Sequence, residues 1–343
     1  MKQMRYFVTG AAGHLGTAIV SRLSDMGQCV RAFLLPGDEG ARRLPDGVEA
    51  FYGDVRDEES VANFLSHSPD ERAVVIHAAG IVSIAAKPGA AVRSVNVEGT
   101  RNLVEQCRRQ AVDKLVYVSS VHAIAEKPAG QIMTETDCFD PALVEGGYAK
   151  SKAEATTLVL NAAREGLDAS VVHPSGIFGP YDWGHGHLTQ LVIDYVHGRL
   201  TSCVQGGYDF VDVRDVADGT IACCDQGQAG ECYILSGKYY EIVEILRMLH
   251  RITGRKEIKR VLPYWFVKAA APLCEMYYRL LRQPPLFTAY SIDTLRSNAR
   301  FSHAKATREL GYTSRPMEQT LEDMVRWMKD NGRLPLFPIE KGE

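Results

Sequence analysis

Short apolar runs alternate with helix-length stretches in the first half of the chain. The apolar runs lie at 6–8, 30–35, 48–52, 73–77, 115–118 and 170–172. Runs this short and continuous are typical of strands buried on both faces. Between them, stretches at about 58–66, 92–110 and 148–165 have helical spacing. The alternation predicts an α/β fold with a doubly wound parallel sheet.

The pattern changes after His173. Glycine and aromatic residues crowd 176–187, and helical runs follow near 188–198, 216–224, 241–253 and 318–330. We therefore expect residues 1–175 to form the core and residues 176–335 to form a smaller, mostly helical C-terminal lobe. Some segments of this lobe should return to the core sheet. The lobe should cover the carboxyl edge of the sheet, where ligands bind in open α/β folds.

The net charge and the spacing of the cysteines limit which molecules this chain is expected to bind. The net charge of −3 gives no basic excess for binding nucleic acid. None of the eight cysteines has a zinc-binding spacing, so we expect no metal. The chain begins with a strand-like segment rather than a signal peptide, which favours a cytoplasmic protein.

One later segment bears on the membrane question. Residues 264–281 are apolar and aromatic, but they include Lys268, Pro272, Glu275 and Arg279. A spanning helix should be longer and less charged, so we expect no transmembrane segment. A buried amphipathic helix is the first interpretation, and a helix lying on a membrane surface is the alternative.

A glycine-rich loop follows the first apolar run and opens the first helix. It reads Thr9-Gly-Ala-Ala-Gly-His-Leu-Gly16, with its glycines three residues apart. Such spacing allows a tight turn and close approach of the backbone to a pyrophosphate at the helix N-terminus. The first region is thus predicted to be a Rossmann dinucleotide-binding core. The expected contacts in this loop are Thr9, Gly10, Gly13, His14, Leu15 and Gly16.

Two further strand ends carry candidate cofactor contacts. Asp54, followed by Val55, ends the third run, where its carboxylate could accept a hydrogen bond from an adenine amino group. The alternative is a helix-capping aspartate, a role that Asp57 already fits. The fourth run ends in small residues that leave room for a cofactor, and we expect His77 to be a packed strand-end residue rather than a catalytic one. This group comprises His77, Ala78, Ala79 and Gly80.

The catalytic candidates lie around Tyr148. Tyr148 and Lys152 are four residues apart and share one helical face. A nearby ammonium lowers the pKa of a phenol towards the range useful for acid–base catalysis. Ser120 ends the fifth run, where its hydroxyl could bind a substrate carbonyl, and Asn96 lies in the preceding helix. Lys150 is two residues from Tyr148 and is assigned to solvent.

These motifs together resemble a known family. They are Thr9-Gly-x-x-Gly-x-x-Gly16, Tyr117-Val-Ser-Ser120, Tyr148-x-x-x-Lys152 and His173-Pro-Ser-Gly-Ile-Phe-Gly-Pro180. In this order they resemble the extended short-chain dehydrogenases/reductases of the NAD-dependent epimerase/dehydratase superfamily. The resemblance covers about residues 4–330 and is strongest to the dihydroflavonol reductase and 3β-hydroxysteroid dehydrogenase branch.

The resemblance implies roles for these residues. Tyr148 would donate or accept the proton, and Lys152 would bind the nicotinamide ribose and lower the pKa of Tyr148. Ser120 would orient the carbonyl, and Asn96 would hold a water molecule or the local backbone. The residues expected along the nicotinamide are Pro174, Ser175 and Ile177.

The residues at the end of the second run do not decide between NAD and NADP. Relatives that prefer NAD often carry an acid there, and those that prefer NADP often carry an arginine just after it. This chain has Leu34 and Leu35 there. Asp38, Glu39, Arg42 and Arg43 follow in a loop, and either sign of charge could reach the ribose. His14 in the glycine loop is a faint indication of NADP. We expect NAD(H), with NADP(H) as the alternative.

Three function classes compete for this sequence. The first is an oxidoreductase that interconverts a ketone and a secondary alcohol on a small or steroid-like apolar substrate. The second is a nucleotide-sugar epimerase or dehydratase with tightly bound NAD, and the third is a cofactor-binding regulator. Nucleotide-sugar relatives commonly carry arginine at the position of Tyr208, which favours the first class, although Arg199 and Arg214 remain candidate phosphate partners. The helices at 92–110 and 148–163 could form a homodimer or belong to the core.

Overall fold

The computed structural model describes residues 2–83, 89–128, 130–184, 186–269 and 295–335. In chain order its strands are β1 (Gln3–Thr9), β2 (Cys29–Leu34), β3 (Glu49–Tyr52), β4 (Glu71–His77), β5 (Lys114–Val118), β6 (Ala169–Pro174), β7 (Gly176–Phe178), β8 (Cys203–Val204), β9 (Gly207–Asp212), β10 (Cys232–Leu235), β11 (Lys238–Glu241) and β12 (Val261–Leu262).

The helices follow the predicted spacing closely. They are α1 (His14–Asp25), α2 (Glu58–Phe64), α3 (Ala90–Arg93), α4 (Thr100–Arg109), α5 (Gly147–Arg164), α6 (His187–Val196), α7 (Val213–Gln226), α8 (Ile242–Thr253), α9 (Ala304–Leu310) and α10 (Met317–Asp330). Of these, α9 was not anticipated from the sequence pattern.

A seven-stranded parallel sheet forms the core, in the order β10-β6-β5-β4-β1-β2-β3. Helices α1 and α7 pack together on one face, and α4 and α5 pack together on the other. Apolar side chains on both faces of the central strands account for their continuous runs. The predicted α/β class with a doubly wound parallel sheet is confirmed.

The second half of the chain contains more strand than its sequence pattern indicates. Strands β11, β9 and β7 form a three-stranded sheet, and β12 pairs with β8. Strand β10 joins the core sheet beside β6. These strands have two to six residues. Alternation over so few residues is weak, which explains why helices dominated the prediction.

The predicted helix at 92–110 is interrupted. A π-helical turn, Ser94–Gly99, lies between α3 and α4. Wider turns of this kind are rare and occur mostly at functional sites.

The apolar segment at 264–281 falls largely outside the described residues, since 270–294 are not described. Residues 264–269 are helical, and Trp265 and Phe266 are exposed. Within the described ranges, the helices are either too short or too polar to cross a bilayer.

Candidate active site

The glycine loop forms a tight backbone cradle at the start of α1. Gly10 has a φ of +67°, and a Cβ there would lie 2.7 Å from the backbone nitrogen of Ala79. A Cβ on Gly16 would lie 2.0 Å from the carbonyl oxygen of Gly10. Gly13 is exposed and precedes α1, which has no side-chain cap and no acidic residue in its first turn. An uncapped helix N-terminus beside an open backbone surface fits a pyrophosphate.

A buried hydrogen-bond chain holds this cradle to the neighbouring strand. The Ala79 N–H donates to Thr9 Oγ1 (3.2 Å), and Thr9 Oγ1 is hydrogen-bonded to His77 Nδ1 (2.7 Å). The protonated Nε2 of His77 then donates to Thr100 Oγ1 (3.0 Å), and Thr100 donates to the carbonyl oxygen of Asn96 (2.7 Å). Burial lowers the pKa of His77 to about 3, which keeps the ring neutral. The side chains of Thr9 and His77 therefore support the loop from within.

Asn96 lies in the π-helical turn and holds the chain after β4. Its Oδ1 accepts from the Ile81 N–H (2.8 Å), and its Nδ2 donates to the Ile81 carbonyl (3.1 Å) and to Ser151 Oγ (3.0 Å). A Cβ on Gly80 would lie 3.3 Å from Asn96 Oδ1 and 3.4 Å from Lys152 Nζ. The turn therefore brings the predicted cofactor edge, residues 78–80, against Lys152.

Lys152 is buried above the carboxyl end of β5. Its Nζ donates to the Val118 carbonyl (2.8 Å) and to the Tyr117 hydroxyl (3.3 Å). Burial lowers the pKa of Lys152 to about 7. Tyr148, one helical turn earlier on α5, is half-buried. The pKa of Tyr117 is raised by burial and, secondarily, by Tyr148, so the two phenols and the ammonium share one site.

Ser120 follows β5 on the same edge. Its Oγ accepts from the His122 N–H (3.2 Å), which leaves the Ser120 proton available to another acceptor. Its carbonyl accepts from His173 Nδ1 (3.0 Å), a buried ring stacked on Phe139. Ser119 has the opposite orientation, since its Oγ pairs with Thr156 of α5 (2.7 Å). Ser120 is thus the serine that faces the site.

A cavity of about 380 Å³ adjoins this edge, within the size range of small-molecule sites. Its apolar wall includes Val121, Ile124, Met133 and Phe301. Its polar lining includes the pair formed by His122 and Tyr208. The rings of this pair stack at 5.5 Å, and His122 Nε2 lies 3.2 Å from the Tyr208 hydroxyl. The His122 ring also meets Tyr148 edge-on at 6.1 Å.

The remaining predicted cofactor residues occupy varied positions. Leu15 and Leu34 are buried in the core, and His14 Nε2 bonds to the Pro180 carbonyl (2.9 Å). This contact ties the glycine loop to the start of the lobe, so the ring is already engaged there. The residues predicted along the nicotinamide follow or end β6: Pro174 and Ser175 are buried, and Ile177 in β7 is half-buried.

Asp54 already has a partner within the chain. Its two carboxylate oxygens accept from Arg56 Nε at 3.0 Å each, and Oδ1 also accepts from the Arg56 N–H (2.9 Å). These hydrogen bonds lower the pKa of Asp54. Asp57 caps α2, as the sequence suggests, and Val55 packs into the space beside Gly99. An adenine contact at Asp54 stays a prediction and would have to share the carboxylate with Arg56.

The two candidate phosphate-binding arginines are also engaged. Arg199 pairs with Asp194 (3.1 Å). Arg214 pairs with Asp212 (2.7 Å) and Asp323 (2.8 Å). Neither is left as a cation facing the cavity beside Ser120, whose lining includes neither residue.

The sequence pattern did not identify Tyr117 or His122 as site residues, and it did not predict the contact of Tyr208 with His122. Tyr117 could have been anticipated, because alternation along β5 puts it on the same face as Ser119, towards α5. The pair of His122 and Tyr208 could not, since its members are 86 residues apart.

Comparison with known proteins agrees with this geometry. Residues 6–236 match the model of the "NAD dependent epimerase/dehydratase family", and the chain belongs to this family. Membership of the extended short-chain dehydrogenase/reductase group, and of the class of nicotinamide-dependent oxidoreductases, is thereby confirmed.

Individual relatives are similar over nearly the whole chain. "Sterol demethylase protein B" of Methylococcus capsulatus is 33% identical, over 96% of this chain and 100% of its own. The "4-hydroxy-2-methyl-3-oxo-4-farnesyl-3,4-dihydroquinoline-1-oxide ketoreductase" of Stigmatella aurantiaca is 30% identical, over 94% and 96%. The crystal structure of gox2253 superposes with a TM-score of 0.83 at 29% identity, over 98% of this chain and 100% of that one.

Proposed function

We propose that this enzyme interconverts a ketone and a secondary alcohol on an apolar, ring-containing substrate. The observation that carries the proposal is the position of Lys152. Its ammonium lies buried between Tyr117, the Val118 carbonyl and the edge at Gly80, one helical turn from Tyr148. This arrangement couples a phenol and a lysine beside the predicted cofactor cradle.

The residues divide the work in a simple way. Ser120 donates a hydrogen bond from its hydroxyl to the substrate carbonyl. Tyr148 transfers a proton to or from the same oxygen. The charged form of Lys152 stabilises the Tyr148 phenolate. Asn96 keeps the backbone at Ile81 in place without touching the reacting atoms. A bound nicotinamide supplies the hydride chemistry.

The cradle formed by Gly10, Gly13 and Gly16 would hold the pyrophosphate of that cofactor. We expect NAD(H) to be preferred, with NADP(H) accepted less well. Leu35 at the end of β2 is exposed and carries no charge. Arg43 lies over the ring of Trp183 (4.8 Å), and Asp38 is engaged in capping at Gly40.

The apolar part of the cavity wall, formed by Val121, Ile124, Met133 and Phe301, supports an apolar substrate; the polar part includes Glu126, Glu145 and Arg296. At the position where nucleotide-sugar relatives commonly carry arginine, Tyr208 is bonded to His122. Two of the relatives have names that refer to apolar substrates, a sterol and a farnesylated quinoline. In the second name, an oxo group at position 3 adjoins a hydroxyl at position 4.

The test is transfer of deuterium from 4-deuterated NADH or NADPH to a panel of ketones. The panel comprises 5α-cholestan-3-one, benzoin and deoxybenzoin, and the products are analysed by mass spectrometry. We expect label on the carbinol carbon of at least one product, with NADH the better donor. Absence of label from all three, together with epimerisation of UDP-glucose, would establish the nucleotide-sugar reaction instead.

A further inference from the structure

His122 occupies a position between the reacting centre and the cavity. It lies two residues after Ser120, and its backbone N–H orients the Ser120 hydroxyl (3.2 Å). Its ring meets the ring of Tyr148 at 6.1 Å and stacks on Tyr208 at 5.5 Å. The ring of His122 therefore lies against Tyr148 and lines the adjoining cavity.

The two ring nitrogens of His122 have different surroundings. Nε2 is hydrogen-bonded to the Tyr208 hydroxyl (3.2 Å). Nδ1 forms no hydrogen bond with the described residues, and it is not among the polar atoms sealed in the interior without a partner. His122 lines the cavity, so a ligand there can approach its ring, and Nε2 is already engaged by Tyr208.

The ring is neutral, which restricts what it can bind. Burial lowers the pKa of His122 to about 4, so one nitrogen donates and the other accepts near neutral pH. The Tyr208 hydroxyl can accept from Nε2 or donate to it. When Nε2 donates, Nδ1 is an acceptor, and when Nε2 accepts, Nδ1 is a donor. A hydroxyl group suits either tautomer because it both donates and accepts.

We propose that His122 is a specificity-determining residue that binds a hydroxyl group on the substrate carbon next to the reacting carbonyl. The substrate class is then an apolar α-hydroxy ketone, or the corresponding vicinal diol in the oxidative direction. The inference rests on the proposed ketone/alcohol function. Ser120 and Tyr148 fix the reacting oxygen, and the adjoining ring of His122 fixes the second oxygen one carbon away.

The experiment compares benzoin with deoxybenzoin, which differ only in the α-hydroxyl. For the wild-type enzyme, kcat/KM is expected to be higher for benzoin. His122→Phe keeps an aromatic ring but removes both nitrogens, and the ratio of the two kcat/KM values should fall by about 10-fold, as expected for one lost hydrogen bond. An unchanged ratio in His122→Phe, or a wild-type enzyme indifferent to the α-hydroxyl, overturns the inference.

Two isosteric variants separate the nitrogens. The amide of His122→Asn reaches about as far as Nδ1 and should restore most of the preference for benzoin. The amide of His122→Gln reaches about as far as Nε2 and should not. Restoration by Gln and not by Asn would contradict the assignment to Nδ1. Circular dichroism and dinucleotide titration check that each variant is folded and binds cofactor.

Leu143→Ala is a matched control, because Leu143 lines the same cavity, is 59% exposed and has no polar group. It should change both kcat/KM values in the same proportion. If the wild-type enzyme reduces 5α-cholestan-3-one but neither benzoin nor deoxybenzoin, the inference is overturned and the proposed function stands. If it reduces none of the three ketones with either cofactor, the proposed function itself has failed and the inference fails with it. That outcome is distinguishable because it is seen before any variant is made.

Discussion

A buried lysine lies at each end of strand β5, and the two lysines have different hydrogen-bond partners. At the amino end, Lys114 Nζ donates to Asp168 (2.7 Å), Ser170 Oγ (2.9 Å) and the Gly227 carbonyl (2.6 Å). At the carboxyl end, Lys152 Nζ donates to the Tyr117 hydroxyl and the Val118 carbonyl. Among the described residues, only the first of these lysines has a carboxylate partner.

The difference supports the proposal that the carboxyl end of the sheet is the end where the chemistry takes place. Three acceptors, one of them a carboxylate, hold Lys114 as a charged structural link between β5, β6 and the turn at Gly227. Lys152 has no carboxylate partner among the residues that the structure describes, and burial lowers its pKa to about 7, so its proton is held weakly. A lysine in this state is suited to respond to a nearby phenol and a ligand.

Of the two lysine replacements, Lys152→Met should reduce turnover more. Methionine fills a similar space without a charge, so turnover should fall by about 100-fold because Tyr148 loses the ammonium beside it. The free energy of unfolding should stay within about 1 kcal/mol of the wild-type value, since removal of a buried charge without a counterion among the described residues offsets the loss of the donor to the Val118 carbonyl and the Tyr117 hydroxyl. Steady-state reduction of an accepted ketone and urea denaturation measure the two quantities. A large loss of stability would mean that Lys152 has a structural role like that of Lys114.

Lys114→Met should reduce stability and leave turnover nearly unchanged. The variant leaves Ser170 Oγ and the Gly227 carbonyl without their donor, and the free energy of unfolding should fall by about 2 kcal/mol. Asp168 is half-exposed and can return to water, which limits the loss. Turnover per folded molecule should be close to wild type. A selective loss of turnover, with stability retained, would remove the distinction between the two ends.

The stability of the wild-type protein should depend on pH through Lys152. Its folded pKa of about 7 lies below the value of about 10.4 for lysine in an unfolded chain. Between these values the unfolded chain binds the additional proton, so the free energy of unfolding rises with pH. Relative to Lys152→Met, the wild type should gain about 1 kcal/mol per pH unit from about pH 7 to pH 9. Parallel curves for the two proteins would show that the lysine is not desolvated.

Much of the fold could be predicted because its signals are local. The apolar runs at β1, β4 and β5 are buried on both faces, and Tyr148 and Lys152 are linked by one helical turn. The interruption of 92–110 by the π-helical turn was not predictable, because its cause is the long-range bonding of Asn96 to Ile81 and Ser151. Helical periodicity carries no record of such contacts.

The candidate site was predictable to a similar degree. The glycine loop and Ser120 are defined by residues close in sequence. The wall of the cavity is not, because His122 and Tyr208 come from opposite halves of the chain. One local signal was available but unused: Arg56 follows Asp54 by two residues, and an ion pair at that spacing occupies the carboxylate assigned to adenine.

We propose that the carboxyl end of β5 is the reacting centre and that Tyr148 moves the proton there. The most direct measurement is the single-turnover rate of deuterium transfer from 4-deuterated NADH to an accepted ketone by Tyr148→Phe. The variant keeps the ring, so folding and dinucleotide binding should match wild type, and the rate should fall by about 10²- to 10⁴-fold. A rate near that of the wild type, in a folded variant with cofactor bound, would contradict the claim.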